Sequence, residues 1–209
     1  MKRWMLILVG GALLLGGCTY PMIDFTKSAP SVRGGSEQIA VSGIDIRPDI
    51  LSRDYQPNYV GAFRGAFSGI PYHLNTTHQQ ALVSQFVDAV TTGYQKAGYT
   101  AQAVYSPNLA SRASAISALQ KTSAHRFLLV TVRALYTNTL IHTEITYDVT
   151  LEVLNRSGRT LARANAQAEE KLLDGSAYPA LYVQELLPDT MASVLTDLSQ
   201  TREIRNALK

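Results

Sequence analysis

One stretch limits the fold more than any other. Over residues 141–153, Ile141, Ile145, Tyr147, Val149, Leu151 and Val153 alternate with His142, Glu144, Thr146, Asp148, Thr150 and Glu152. A period of two places the first set on one face of a strand and the second on the other. This reads as a half-buried antiparallel strand with one wet face. Asn155-Arg156-Ser157-Gly158 follows as a hairpin turn. The returning strand, 160–169, sets Ala162, Ala164, Ala166 and Ala168 against Arg163, Asn165, Gln167 and Glu169. An all-alanine face lets a helix come close to the sheet.

The remaining elements follow from period and punctuation. Residues 38–46 and 59–69 read as strands, 99–105 as a short strand, and 126–136 as a central strand buried over 127–130. The second of these holds Gly-Ala-Phe twice. The GxGxxG and GxxxxGK[ST] spacings of phosphate loops are absent, so its glycines read as bulges or close backbone approaches. Asn75-Thr76-Thr77 offers capping groups for a helix to about residue 97, with Leu82, Val83, Phe86, Ala89, Val90 and Tyr94 as its apolar stripe. A second helix is expected over 108–123. A third follows Pro179, with Pro188 either kinking it or opening another. The expected order is β-β-α-β-α-β-β-β-α. The fold class expected is α+β, a two-layer sandwich with a mainly antiparallel sheet and helices packed on one face.

The N-terminus carries a different message. Lys2 and Arg3 precede an apolar run of about a dozen residues, which Leu15-Gly16-Gly17-Cys18 closes. That is the layout of a secretory signal, and the run is shorter than the ~20 residues a bilayer span needs. The closing tetrapeptide resembles the bacterial lipobox. The resemblance implies cleavage before Cys18, diacylglycerol on its thiol and an acyl chain, such as palmitate, on the new amino group. Thr19 stands where an Asp would retain a lipoprotein at the inner membrane. The resemblance thus points to the outer membrane, with the folded part facing the periplasm.

The expected organisation is a signal peptide over 1–17, lipidated Cys18 with a flexible tether over 18–37, and one periplasmic domain over 38–209. The rival for the tether is a bound segment, since Met22, Ile23 and Phe25 are able to dock. Cys18 is the only cysteine in the 209 residues, so the fold is expected to stand without disulfides. The formal charge is +3, and loss of Lys2 and Arg3 brings it near neutral, which removes the argument for nucleic acid.

The strand VGAFRGAF, the helix end KAGY, the hairpin YDVTLEVLNRSGRTL and the tail SVLTDLSQTREIRNAL, together with the lipobox, resemble the YajG-type family of bacterial lipoproteins. Residues 126–161 also resemble the sheet of CsgG and TolB N-terminal-type periplasmic domains. The resemblance carries no catalytic motif to this chain.

The histidines, His73, His78, His125 and His142, form no HExxH and no i, i+4 zinc pair. His142, Glu144 and Asp148 share one strand face, which reads as solvated rather than as a cation site. GxSxG and SxxK are absent. No catalytic residue, metal or cofactor is expected. The function expected is a non-enzymatic accessory or assembly factor of the cell envelope, acting by contact with an envelope protein. The alternatives are a glycan- or lipid-binding module, using Tyr55, Tyr59, Phe63 and Phe67, and a hydrolase.

Overall fold

The computed structural model describes residues 22–64, 70–139, 142–174 and 179–209. The strands are β1 (Met22–Ile23), β2 (Gln38–Asp45), β3 (Tyr59–Arg64), β4 (Pro71–Thr76), β5 (Thr100–Ala103), β6 (Arg126–Thr139), β7 (His142–Asn155) and β8 (Thr160–Asp174). The helices are α1 (Pro48–Leu51), α2 (Leu82–Lys96), α3 (Arg112–Gln120), α4 (Pro179–Gln200) and α5 (Arg202–Ala207). None among the described residues is long and apolar enough to cross a membrane.

All eight strands form one curled, half-barrel sheet. The long strand β6 is its spine. One flank of β6 is covered along its length by antiparallel β7, and β8 lies outside β7. The other flank is shared: β2 pairs in parallel with its first half and β3 in parallel with its last residues. Beyond β2 lies β5, also parallel, and beyond β3 lie antiparallel β4 and then parallel β1. Register shifts in β3, β6 and the β7–β8 pair mark bulges, which bend strands and add to the curl.

This overturns the expected fold class. The sheet is mixed, with parallel pairing at β1–β4, β2–β5, β2–β6 and β3–β6, rather than mainly antiparallel. Nor is it a flat layer with helices on one face. The larger core lies in the concavity, where Leu128, Val130, Val132, Val149, Leu151 and Val153 meet Phe86, Val90, Leu187 and Leu195 of α2 and α4. A second core sits on the opposite face, where Ala115 and Leu119 of α3 cover Ala40, Phe127, Leu129 and Leu154. A sequence period says which residues point inward. It does not say which strand lies alongside or in which direction.

Local chemistry explains the contacts. Gly43 faces α2, where a Cβ would lie 2.5 Å from Val83 Cγ2 and 3.0 Å from Val87 Cγ2, so a bare backbone sets the helix–sheet distance. At Gly61, φ is +142° and a Cβ would lie 2.1 Å from the Thr137 carbonyl oxygen, which is the close approach expected of this glycine-rich strand. The alanines of β8 are half-buried against the larger core, beneath α4 and α5. Pro188 lies inside α4, which continues as one helix.

Three further expectations are corrected. Asn75 and Thr76 end strand β4 instead of capping a helix, and α2 begins at Leu82. α3 is shorter than expected, because Ser111 caps it by accepting from the Ser114 N–H. The segment preceding β2 is bound to the domain from Met22 onward. Ile23 and Phe25 are buried, Ser28 Oγ donates to the Pro188 carbonyl at 2.8 Å, and the Ser31 N–H donates to Thr196 Oγ1 at 2.9 Å.

Candidate functional site

Cys18, Leu15, Gly16 and Gly17 lie outside the described residues, as does Phe67. The other sequence candidates are dispersed. His78 sits exposed at φ 56°, His125 is exposed, and His73 lies on β4. The side chain of His142 is outside the described set. No group of three or more His, Cys, Asp or Glu able to hold a metal occurs among the described residues.

One aromatic ledge does assemble. It rests on a buried ion pair at the end of β2, where Asp45 and Arg47 are 1% and 4% exposed. The Arg47 guanidinium forks onto the carboxylate, Nε to Oδ1 at 2.9 Å and Nη2 to Oδ2 at 2.7 Å. Its remaining donors reach the backbone carbonyls of Tyr59 at 2.6 Å, Pro57 at 3.1 Å and Leu135 at 3.5 Å. One side chain thereby ties β2, the start of β3 and β6 together. At Tyr59, whose carbonyl Arg47 holds, the Tyr55 and Tyr59 rings stack with centroids 3.9 Å apart, and the His73 ring stands edge-on to both at 5.4 and 5.3 Å. Tyr136 completes the ledge, 6.3 Å from Tyr59. Tyr59 is buried, and that burial, with Tyr136 and Tyr55 beside it, pushes its hydroxyl pKa upward. Phe63 belongs instead to the larger core. With Tyr59 buried, the ledge presents the rings and hydroxyls of Tyr55 and Tyr136.

Clefts also open beside the sheet. A notch of about 280 Å³ opens between residues 32–37, Tyr99 and α5, and is lined by Arg33, Arg205, Lys209 and Glu37. Arg205 Nε is buried there without a hydrogen-bond partner among the described residues. The second cleft, about 380 Å³, lies over the outer face between α3, β6 and β7. Its charges are largely matched. Arg112 pairs with Glu152, and Arg133 donates to Thr150 Oγ1 at 2.7 Å and lies 3.7 Å from Asp148.

That second cleft revises the wet face read from the alternation. Thr150 and Glu152 are only 0% and 7% exposed. Arg112, just past the α3 cap, and Arg133, at the β6 bulge, reach over them. Arg47 and Arg112 are the polar residues that the sequence reading passed over. The only signal was a charged pair, Asp45 and Arg47, at the end of an otherwise apolar run.

No protein-family model and no curated protein matches the chain. Among solved structures it is similar to protein XCC0632 from Xanthomonas campestris, of family DUF330, at 14% identity, covering 81% of this chain and 90% of that one, with a TM-score of 0.49. It is similar to the PelC dodecamer from Paraburkholderia phytofirmans at 16% identity, covering 81% and 93%, with a TM-score of 0.41. Lipoprotein GNA1162 from Neisseria meningitidis shares 14% identity over 78% of this chain and 99% of that one, with a TM-score of 0.32. The expected YajG-type family is not among these three, and likenesses at this level are of outline only.

Proposed function

We propose that this chain is a lipid-anchored protein of the bacterial envelope that works by contact rather than by chemistry, held at the outer membrane and facing the periplasm. The observation that carries the reading is Leu15-Gly16-Gly17-Cys18 at the close of a short apolar run behind Lys2 and Arg3. Two or more acyl chains on one cysteine give stable anchoring, where a single chain gives only reversible binding. An anchored domain meets an envelope partner at a raised effective concentration. The test is metabolic labelling with palmitate in cells carrying the wild type or Cys18→Ala. Label in the first and none in the second supports anchoring; label in both refutes it. Contact is tested by cross-linking in intact cells, then by complementation of a deletion strain with a soluble form starting at Thr19. Full complementation by the soluble form would count against a role that depends on the membrane.

A second reading has its own observation, the ledge of Tyr55, Tyr59, His73 and Tyr136. Aromatic faces beside hydroxyls suit an envelope glycan. Tyr55→Ala and Tyr136→Ala, each folded, should then weaken retention on cell-wall glycan at least tenfold. Unchanged retention removes this reading.

A further inference from the structure

Only four residue steps separate Cys18 from Met22, where the described fold begins. A chain advances at most about 3.6 Å per residue, so Cys18 stays within roughly 14 Å of Met22. β1 runs parallel to β4, with Met22 opposite Asn75 and Ile23 opposite Thr76. Followed backwards, β1 therefore points along β4 toward its first residue, Pro71.

That direction leads to one end of the sheet. Pro71 pairs with Arg64, the last residue of β3, and Phe63 pairs with both Tyr72 and Thr139. Thr139 closes β6 opposite Thr143, which in turn pairs with Leu173 near the close of β8. The first turn of α4 follows the close of β8 by only a few residues, so it begins at the same end. Three of the large apolar side chains that the fold leaves in solvent lie here or on the edge strand leading here: Ile70 and Tyr182, each 56% exposed, and Met22, 50% exposed. The opposite end is more polar, with Leu161, 40% exposed, the large apolar side chain it leaves in solvent among the described residues. It carries the Asn155-to-Arg159 turn, His125 at the start of β6, and the close of α5, whose Ala207 carbonyl accepts from Arg126 Nε at 3.0 Å.

We infer that the sheet end bearing Ile70 and Tyr182 rests against the same bilayer that holds Cys18, an orientation that depends on the anchored reading above. The short link keeps the domain against the membrane, the chain direction selects this end, and the exposed apolar side chains fit the headgroup–acyl boundary, where an amphipathic tyrosine is well placed.

The chain has one tryptophan, Trp4, upstream of the cleavage expected before Cys18. A tryptophan introduced into the mature protein is thus a single reporter. The lipidated protein carrying Ile70→Trp, Tyr182→Trp or Arg156→Trp is reconstituted into vesicles of phosphatidylethanolamine and phosphatidylglycerol, with or without brominated acyl chains. Unchanged thermal unfolding confirms each variant. Brominated lipid should quench the first two reporters at least twofold and leave the third unchanged. Vesicle flotation and palmitate label are scored on the same samples. Protein that floats and carries label, yet is quenched at position 156 or at none of the three, overturns the orientation alone. A blue-shifted but unquenched reporter at position 70 means that a protein surface covers this end, which also overturns it. Protein that neither floats nor labels overturns the anchor, and the orientation with it.

Discussion

Replacing Arg47 should damage this fold more than replacing any other charged residue described. Its guanidinium makes five hydrogen bonds of 2.6–3.5 Å, two to Asp45 and three to the carbonyls of Pro57, Tyr59 and Leu135. Arg47→Ala leaves the Asp45 carboxylate, 1% exposed, with its ion-pair partner gone. Removing one member of a buried pair costs about 3–5 kcal/mol, because the survivor stays desolvated. In a domain of this size each kcal/mol lowers Tm by about 2–4 °C, so a fall of roughly 6–20 °C is expected. Arg47→Lys keeps the charge but loses the fork, and should fall between Ala and wild type. Removing both charges with Asp45→Leu and Arg47→Met should cost less than Arg47→Ala alone, since the uncompensated carboxylate goes as well. Urea unfolding of a soluble form starting at Thr19 measures all four. If Arg47→Ala lies within about 1 kcal/mol of wild type, or the double variant is the worst, the pair is not the tie described and the reasoning fails.

Four further changes probe the core and its rim. Gly43→Ala places a methyl 2.5 Å from Val83 Cγ2 and should cost about 1–3 kcal/mol by overpacking, read in the same unfolding assay. Val149→Asp, at a position 0% exposed, should cost at least about 3 kcal/mol, while Thr150→Val, which loses the hydroxyl bonded to Arg133 and Asn165, should cost about 1 kcal/mol. Burial, with Asp88 accepting from its hydroxyl, pushes the Tyr105 pKa up to about 12. The fold favours the neutral phenol, so its contribution to stability is present below pH 10 and lost between about pH 10 and 12. Ultraviolet titration should show several late tyrosines, of which one moves earlier in Asp88→Asn.

Some of this structure was legible in the sequence because its causes are local. The β7–β8 hairpin combines a period of two with a turn, and its register needs no information from elsewhere. The stripe of α2 likewise names its own buried face. Strand partners are a different matter. β2 is flanked by β5 and β6, both parallel, through connections that cross long intervals of chain, and nothing in Gln38–Asp45 encodes either neighbour. β1 has two residues, too few to show any period.

Thr150 shows where alternation stops being informative. The period places it correctly on the face opposite Val149. Whether that face is wet depends on what lies over it, which two distant events decide. Ser111 caps α3 and starts it beside β7, so that Arg112 reaches Glu152. The register shift between Val132 and Ala134 sends Arg133 across to Thr150. Neither event leaves a mark in residues 141–153. A polar residue in an alternating strand is therefore evidence of a face, and only the partners of that face decide between a solvated surface and a buried polar seam. Here the seam is covered over Thr150 and Glu152 and open toward Asp148, which is only half-buried. The same strand face supplies both environments within five residues, so substitutions along it should grade from costly at Glu152 to mild at Asp148. Equal costs at the two positions would mean that α3 does not cover the sheet as described.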